Sequence, residues 1–270
     1  MKVGIHQPQY LPWLGYFDKM AQVDYFVLLD DVQFKKNEWQ NRNRLKTAAG
    51  WQWLTVPVFH RFPQRILDVR INNAVPWPRK HLQAMIANYA STPFFQVHRR
   101  FFEEMYAREW TLLRDLNQTI LSYLAEALGM HAKLVLASSL ALPVQATATE
   151  RLIAICHALG ADTYLSGSAG RNYVNVERFE QAGLRLLFQA FQCPLYPQRF
   201  GAFVPNLSIV DLLFNCGDRS LQVLRNEGQL TGPGNESMSQ GVIGLCASHE
   251  TMACRSPSPV SSPPAGEREG

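Results

Sequence analysis

No run of about 18 consecutive apolar residues occurs, the length a helix needs to cross a bilayer, so no membrane span is expected. The opening residues, MKVGIHQP, hold one lysine and then polar residues and proline where a secretory leader has its apolar core. That points to the cytoplasm. Cysteine is scarce: Cys156, Cys193, Cys216, Cys246 and Cys254 are odd in number and form no CxxC pair, which excludes a secreted disulfide framework. Cys/His pairs at ligand spacing are missing too, so no metal site is expected. Cys156, Cys193 and Cys216 are read as buried or incidental thiols. There is no GxSxG elbow, no Walker loop, no GxGxxG and no internal repeat.

What is present is a globular composition, 47% hydrophobic and 18% charged over 270 residues, enough for one large domain or two small ones. The net charge of +4 is uneven. Residues 227–270 carry two basic and five acidic side chains, leaving +7 on the first 226. A moderate basic excess suits an anionic ligand such as a nucleotide, a sugar phosphate or RNA, without choosing among them. Beyond about residue 227 the chain is rich in Ser, Pro and Gly and poor in large apolar groups; it cannot offset its own ordering entropy and is expected to be disordered.

Within 1–226 the pattern alternates. VGIH (3–6) and YFVLLD (25–30) read as short buried strands with LGYFDKMAQ helical between them, a β–α–β unit with parallel neighbours. WQWLTVPV (51–58) reads as a further strand. Residues 79–91, 94–108 and 110–128 form a helical insertion, about 79–128, in which Leu113, Leu116, Ile120, Leu124 and Leu128 make a core-facing stripe. Alternation resumes with KLVLAS (133–138), a helix near 149–159, ADTYLSG (161–167), a helix near 175–182 and LRLLFQAF (184–191). Gly160 and Gly183 sit where helices end, and Ser208 can cap a last helix, IVDLLFN. The fold class is α/β, with a mainly parallel Rossmann-like sheet.

In open α/β sheets ligands bind beyond the carboxyl ends of the strands. Three segments fall there: His6-Gln7-Pro8-Gln9-Tyr10, Asp30-Asp31-Val32-Gln33 and Ser166-Gly167-Ser168-Ala169-Gly170-Arg171. In "HQPQYLPWLGYF" (6–17) the prolines would shape a turn whose polar groups face a ligand, or Tyr10, Trp13 and Phe17 would simply fill the core. His6, with a near-neutral titration range, suits acid–base work or a phosphate oxygen, or else is a turn histidine. One of Asp30 and Asp31 would hold Mg²⁺, a ribose hydroxyl or a substrate amine, or would form a turn. KKNEWQNRNRLK (35–46) has five basic residues and one acidic. Its Lys35, Lys36, Arg42 and Arg44 can bind phosphate in two-point fashion, and Trp39 offers a stacking face. A solvated surface or an RNA contact are the other readings of that stretch. The Gly/Ser-rich turn with Ser166, Gly167 and Arg171 can cradle an anion or be a plain β–α turn.

"GIHQPQYLPWLGYFDKM", "DYFVLLDDVQFKKNEWQNRNRLKT" with "WLTVPV", "ADTYLSGSAGRNYV" and "FVPNLSIVDLLFNCG", in that order, resemble the WbqC-like protein family over about residues 2–217. The resemblance implies a bacterial protein of O-antigen or related surface-polysaccharide synthesis. The activity suggested for the family is transfer of an aminoacyl group, glycyl in particular, to an amino sugar. It assigns no catalytic residues. A first strand ending in a histidine turn, then a helix and a strand ending in aspartate, is also similar to HIGH-motif nucleotidyltransferases and adenylate-forming enzymes, although HxGH itself is absent. Activating a free carboxyl through an adenylate would call for ATP and Mg²⁺. The expectation is therefore a cytoplasmic acyl- or aminoacyl-transferase with a small nucleotide-sugar substrate and no nucleic-acid partner. Its catalytic residues would be His6 or Asp30, and Gln7, Gln9, Tyr10, Asp31 and the basic and Gly/Ser residues above would bind substrate. The alternative is a non-catalytic sugar-nucleotide-binding accessory protein.

Overall fold

The structure, a computed structural model, describes residues 1–142 and 147–225. The chain enters as β1 (Lys2–His6), turns through Pro8 and Pro12 into α1 (Leu14–Ala21) and returns as β2 (Tyr25–Leu28). It then builds a separate block. This block holds an antiparallel hairpin of β3 (Arg42–Thr47) and β4 (Gly50–Thr55), and a short ribbon of β5 (Val58–Phe59) and β6 (Arg70–Ile71). Three helices complete it: α2 (Trp77–Tyr89), α3 (Phe95–Ala107) and α4 (Leu113–Ala127). Alternation resumes with β7 (Lys133–Leu136), α5 (Ala148–Ala158), β8 (Thr163–Ser166), α6 (Val176–Gln181) and β9 (Arg185–Phe188), followed by α7 (Ile209–Cys216) and α8 (Ser220–Leu224).

The five sheet strands run parallel in the order β7-β2-β1-β8-β9. Counted along the chain that is 3-2-1-4-5, the order of a doubly wound sheet, and the direction of winding reverses between β1 and β8. Strands this short are buried on both faces because helices cover both. Val3, Ile5 and Val27 meet Leu152, Ile155, Cys156 and Phe179 from α5 and α6. On the opposite face Phe26 and Leu28 meet Phe17 and Met20 of α1, the helical block and α7. Parity along β1 then puts His6 on the α1 side with Gly4, where an added Cβ would lie 3.3 Å from the Phe26 ring.

Most sequence expectations hold to within a few residues. Gly160 and Gly183 adopt φ of +64° and +69° after α5 and α6, and the Ser208 hydroxyl accepts from the Val210 N–H. The stretch 51–58 is a strand over Gly50–Thr55, as expected; this β4 pairs with β3, outside the main sheet. β3 was hidden because its buried residues include Asn43 and, on the opposite face, Lys46 as well as Leu45, so no apolar alternation marks it. The insertion accordingly contains two β-ribbons as well as helices. The expected disordered tail from 227 lies outside the described residues, as do Cys246 and Cys254. Cys156 and Cys216 are buried thiols, as expected, and Cys193 is half-buried.

Gly217 ends α7 at φ +53°, where a Cβ would stand 2.3 Å from the Phe94 ring. Gly217→Ala should therefore cost about 2–4 kcal/mol, from a left-handed backbone and overpacking together. The check is a lowered urea midpoint at unchanged m-value.

Candidate functional site

The loop leaving β1 is stitched to the segment entering β3. The Tyr10 N–H donates to the Trp39 carbonyl at 3.1 Å, and Gln40 Nε2 donates to Gln7 Oε1 at 2.6 Å. Asn43 Nδ2 donates to the Leu11 carbonyl at 2.8 Å. Leu11 needs that bond: it holds a left-handed φ of +46° directly before Pro12, where neither side chain nor sequence context favours it. Gln40 also accepts the Lys35 N–H at 2.8 Å, and its carbonyl receives Asn117 Nδ2 from α4 at 2.8 Å. The basic segment is thus fixed over the carboxyl end of the sheet.

Its exposed face is an arginine–tryptophan platform. Arg42 Cζ lies 4.3 Å from the Trp53 ring centroid, and Arg44 Cζ lies 5.0 Å from Trp51 and 5.8 Å from Trp39. Trp39 and Trp53 are 5.4 Å apart by centroid. Stacked guanidinium and indole planes favour each other, and both favour a flat or sugar ring with a phosphate beside it. Trp51 is 43% exposed and Trp53 37%, so the platform faces solvent. Lys35 and Lys36, just before it in the chain, are exposed, and Glu38 sits within electrostatic reach of Lys35 and Arg42, its carboxyl raised by burial. Trp51 and Trp53 were not named as site residues from sequence. The signal was there: Trp-x-Trp in a strand puts both rings on one face.

At the switch point itself, the β1–β8 register ends at Gly4 opposite Leu165, and continuing it sets His6 level with Gly167. His6 packs on Tyr16 of α1 with ring centroids 4.6 Å apart, and its Nδ1 meets the Gln7 carbonyl at 3.2 Å. Burial, aided by the Lys19 ammonium, pulls His6 down to about 3, so its imidazole is neutral. Lys19 is buried and donates from Nζ to the Ile5 carbonyl at 2.8 Å. Gln9 is 6% exposed, and among the described residues its Oε1 has no hydrogen-bond partner.

Other expected site residues are held differently. Tyr10 is fully buried, its hydroxyl 2.8 Å from His81 Nδ1 and 2.6 Å from the Tyr106 hydroxyl, so its ring belongs to the core rather than to a ligand. Trp13 and Phe17 are core as well, and Gly15 is glycine because the Trp13 ring folds over it, 2.2 Å from where a Cβ would be. Asp30 is completely buried. Its Oδ1 accepts the Ser138 N–H at 2.9 Å and its Oδ2 the Ser138 hydroxyl at 2.7 Å, with Arg114 3.6 Å away. Asp31 is ion-paired with Arg151 of α5. The two carboxylates thus address protein groups rather than one shared metal position. In the 166–171 turn, Ser166 is buried and Gly170 approaches it so closely that a Cβ would lie 2.0 Å from Oγ; Gly167 is half-buried and Arg171 is exposed, stacked 4.3 Å from the Phe188 centroid. Close packing therefore accounts for one of the glycines in that motif.

A doubly wound α/β protein with an aromatic, cationic hairpin fastened to the loop after its first strand is the class these features define. The model of the WbqC-like protein family matches residues 7–223, and the chain belongs to that family. It is 37% identical over 228 residues to Uncharacterized protein Rv1507c of Mycobacterium tuberculosis, covering 83% of this chain and 97% of that one. No solved structure matches.

Asn43→Ala should cost about 1–3 kcal/mol by leaving the buried Leu11 carbonyl unpaired, seen as a lower denaturation midpoint. A second expectation concerns pH. His81, held down to about 4 by burial against a Thr55 backbone hydrogen bond, and His6 both sit below the usual histidine value of about 6.5. The unfolded chain then binds protons that the folded chain refuses, so stability should be full above about pH 6.5 and fall as pH drops toward 4. Melting temperature against pH reads this, and His81→Gln should flatten the acid slope.

Proposed function

We propose that the chain is an acyl- or aminoacyl-transferring enzyme of bacterial surface-polysaccharide synthesis, acting on a nucleotide-linked amino sugar. The single observation that supports this reading is the His6–Gln9 loop, hydrogen-bonded to the segment entering the arginine–tryptophan hairpin and, by the β1–β8 register, level with the Ser166–Gly167 turn. Membership of the WbqC-like family supplies the polysaccharide context. In this reading the sugar or base ring lies on Trp39 and Trp53, and the phosphates meet Arg42, Arg44, Lys35 and Lys36. The Gly167 turn and Arg171 close the opposite wall, and Gln7 and Gln9 offer amides to the sugar hydroxyls.

Transfer would proceed by attack of the sugar amine on an activated glycyl or other acyl carbonyl. A C–N bond forms, the bond to the activating group breaks with its electron pair, and the amine's proton leaves. His6 is the group to accept that proton, since it is neutral and at the strand end. The phosphate of a bound substrate would raise its basicity, opposing the effect of Lys19. Asp30 is a positioning residue, holding the loop after β7 through Ser138. A glycyl adenylate made with ATP is the activated donor that fits this chemistry.

One feature favours a second reading, a binding module without turnover: burial holds the His6 imidazole well below the usual histidine range. Incubation with a uridine-diphosphate amino sugar, glycine and ATP, followed by mass spectrometry, separates the two. The transferase reading expects a glycyl adduct on the sugar that His6→Ala abolishes; the binding reading expects affinity without adduct. In either case Trp53→Ala and Arg42→Ala should weaken sugar-nucleotide binding about tenfold. Full affinity in both variants removes the platform from either role.

A further inference from the structure

A cleft lined by none of the platform's residues opens elsewhere on the inserted block. It measures about 810 Å³ and sits between β5, β6 and the turn joining them. Its floor hangs on the segment leaving β2: Phe34 N–H donates to the Gln64 carbonyl at 2.8 Å, and the Ile66 and Leu67 N–H groups donate to the Val32 and Asp30 carbonyls at 2.9 and 2.8 Å. Two glutamines brace it. Gln33 Oε1 accepts the Gln64 N–H at 3.2 Å while its Nε2 donates to the Phe34 carbonyl at 2.8 Å. Gln64 Oε1 accepts the Arg61 N–H at 3.2 Å, and its Nε2 donates to the Asp68 carbonyl at 3.0 Å. Both amides are spent on holding the floor in shape.

The lining charges are unequal. Asp68 is committed to Arg65, with Nε to Oδ2 at 2.8 Å and Nη2 to Oδ1 at 3.3 Å. That pair cancels and leaves Arg61, Arg70 and the imidazole of His60 facing the cleft with no second carboxylate among its lining residues. Phe59 stands directly across the ribbon from Arg70 and is 59% exposed, and the His60 ring lies 5.4 Å from Phe34 by centroid. Two cations and two ring faces are thus set side by side.

We propose that this cleft is a binding site for a nucleoside polyphosphate, with the phosphates on Arg61 and Arg70 and the base against Phe59 and His60. A lone phosphate would leave most of 810 Å³ empty, whereas a nucleotide falls within the range small-molecule clefts span. Arginine forks suit phosphate oxygens in pairs. An apolar peptide is poorly matched, because Phe59 and Pro63 are the apolar side chains of the lining. The site shares no residue with the platform and does not depend on the transfer reaction. It would place a nucleotide next to the segment that carries Asp30 and Asp31, on the flank opposite the Ser166 turn.

Calorimetric titration of the full chain with ATP, ADP, adenosine and inorganic tripolyphosphate tests it. Saturable ATP binding is expected, weaker for ADP and weakest for adenosine, and falling with added salt. The exposed double variant Arg61→Ala/Arg70→Ala should lose at least tenfold in ATP affinity, with an unchanged melting temperature. Phe59→Ala should weaken ATP but leave tripolyphosphate untouched, and Arg100→Ala on α3 should change nothing. Three results overturn the proposal: no saturable ATP binding, full affinity in the double variant, or Phe59→Ala binding ATP as the parent does. ATP affinity lost in Trp53→Ala but kept in the double variant would move the nucleotide to the platform and overturn it as well. The sugar-nucleotide titrations above read the platform separately, so either site can fail alone.

Discussion

The arrangement at the sheet margin depends on buried side-chain amides. Asn43, Gln40 and Gln7 hold the loop after β1 against the start of the hairpin, and they do so out of solvent, where an unmade bond is expensive and a made one is directional. Apolar packing alone would bury the same area in several registers. Amide pairs accept only one. That is why a loop with a left-handed leucine before a proline can persist: the hairpin overdetermines it. The platform's tryptophans and arginines project from a strand whose inward face is occupied by these anchors.

The far end of the hairpin is fixed by charge. The Lys46 N–H donates to the Tyr89 hydroxyl at 2.9 Å, which donates to Asp211 Oδ1 of α7 at 2.8 Å. Asp211 takes two further bonds on Oδ2, from the Tyr196 hydroxyl and Gln198 Nε2, each at 2.8 Å, and the buried Lys46 ammonium reaches the Ala202 carbonyl. Burial raises the Asp211 carboxyl, and the three donors with Lys46 oppose that rise. A buried carboxylate with this many donors can remain ionised, and it ties β3, α2, α7 and the 196–204 loop into one unit. The hairpin is therefore clamped at both ends, which lets exposed aromatic rings stay oriented without a ligand.

The sheet was legible because its strands are short apolar runs set between helices with glycine stops, and parallel pairing demands no other pattern. Gly160, Gly183 and Ser208 were readable from local backbone chemistry alone. β3 was not. Its buried positions are Asn43 and Leu45 on one face and, on the other, Lys46 against the 196–204 loop, so the polarity that suggested a solvated segment was the polarity of buried anchors. The same ambiguity affected Tyr10 and Asp30. A tyrosine or aspartate at a strand end reads as functional, yet His81, Tyr106 and Ser138, whose bonds claim them, lie about 70 to 110 positions away. Sequence locates the margin where chemistry collects; it does not reveal which polar groups the protein has already used.

That distinction separates His6 from Asp30. Both stand at carboxyl ends of neighbouring strands on the same face of the sheet, two residues beyond the last core contact in Asp30's case. Asp30 has both oxygens paired within the protein, so a ligand reaching it must first displace Ser138. His6 is bonded through Nδ1 alone, with Nε2 engaged by none of the described residues. Burial, with the Lys19 ammonium adding to it, keeps its imidazole neutral. Of the two, His6 is the one whose imidazole keeps an unspent nitrogen at the margin beside the loop that the hairpin clamps.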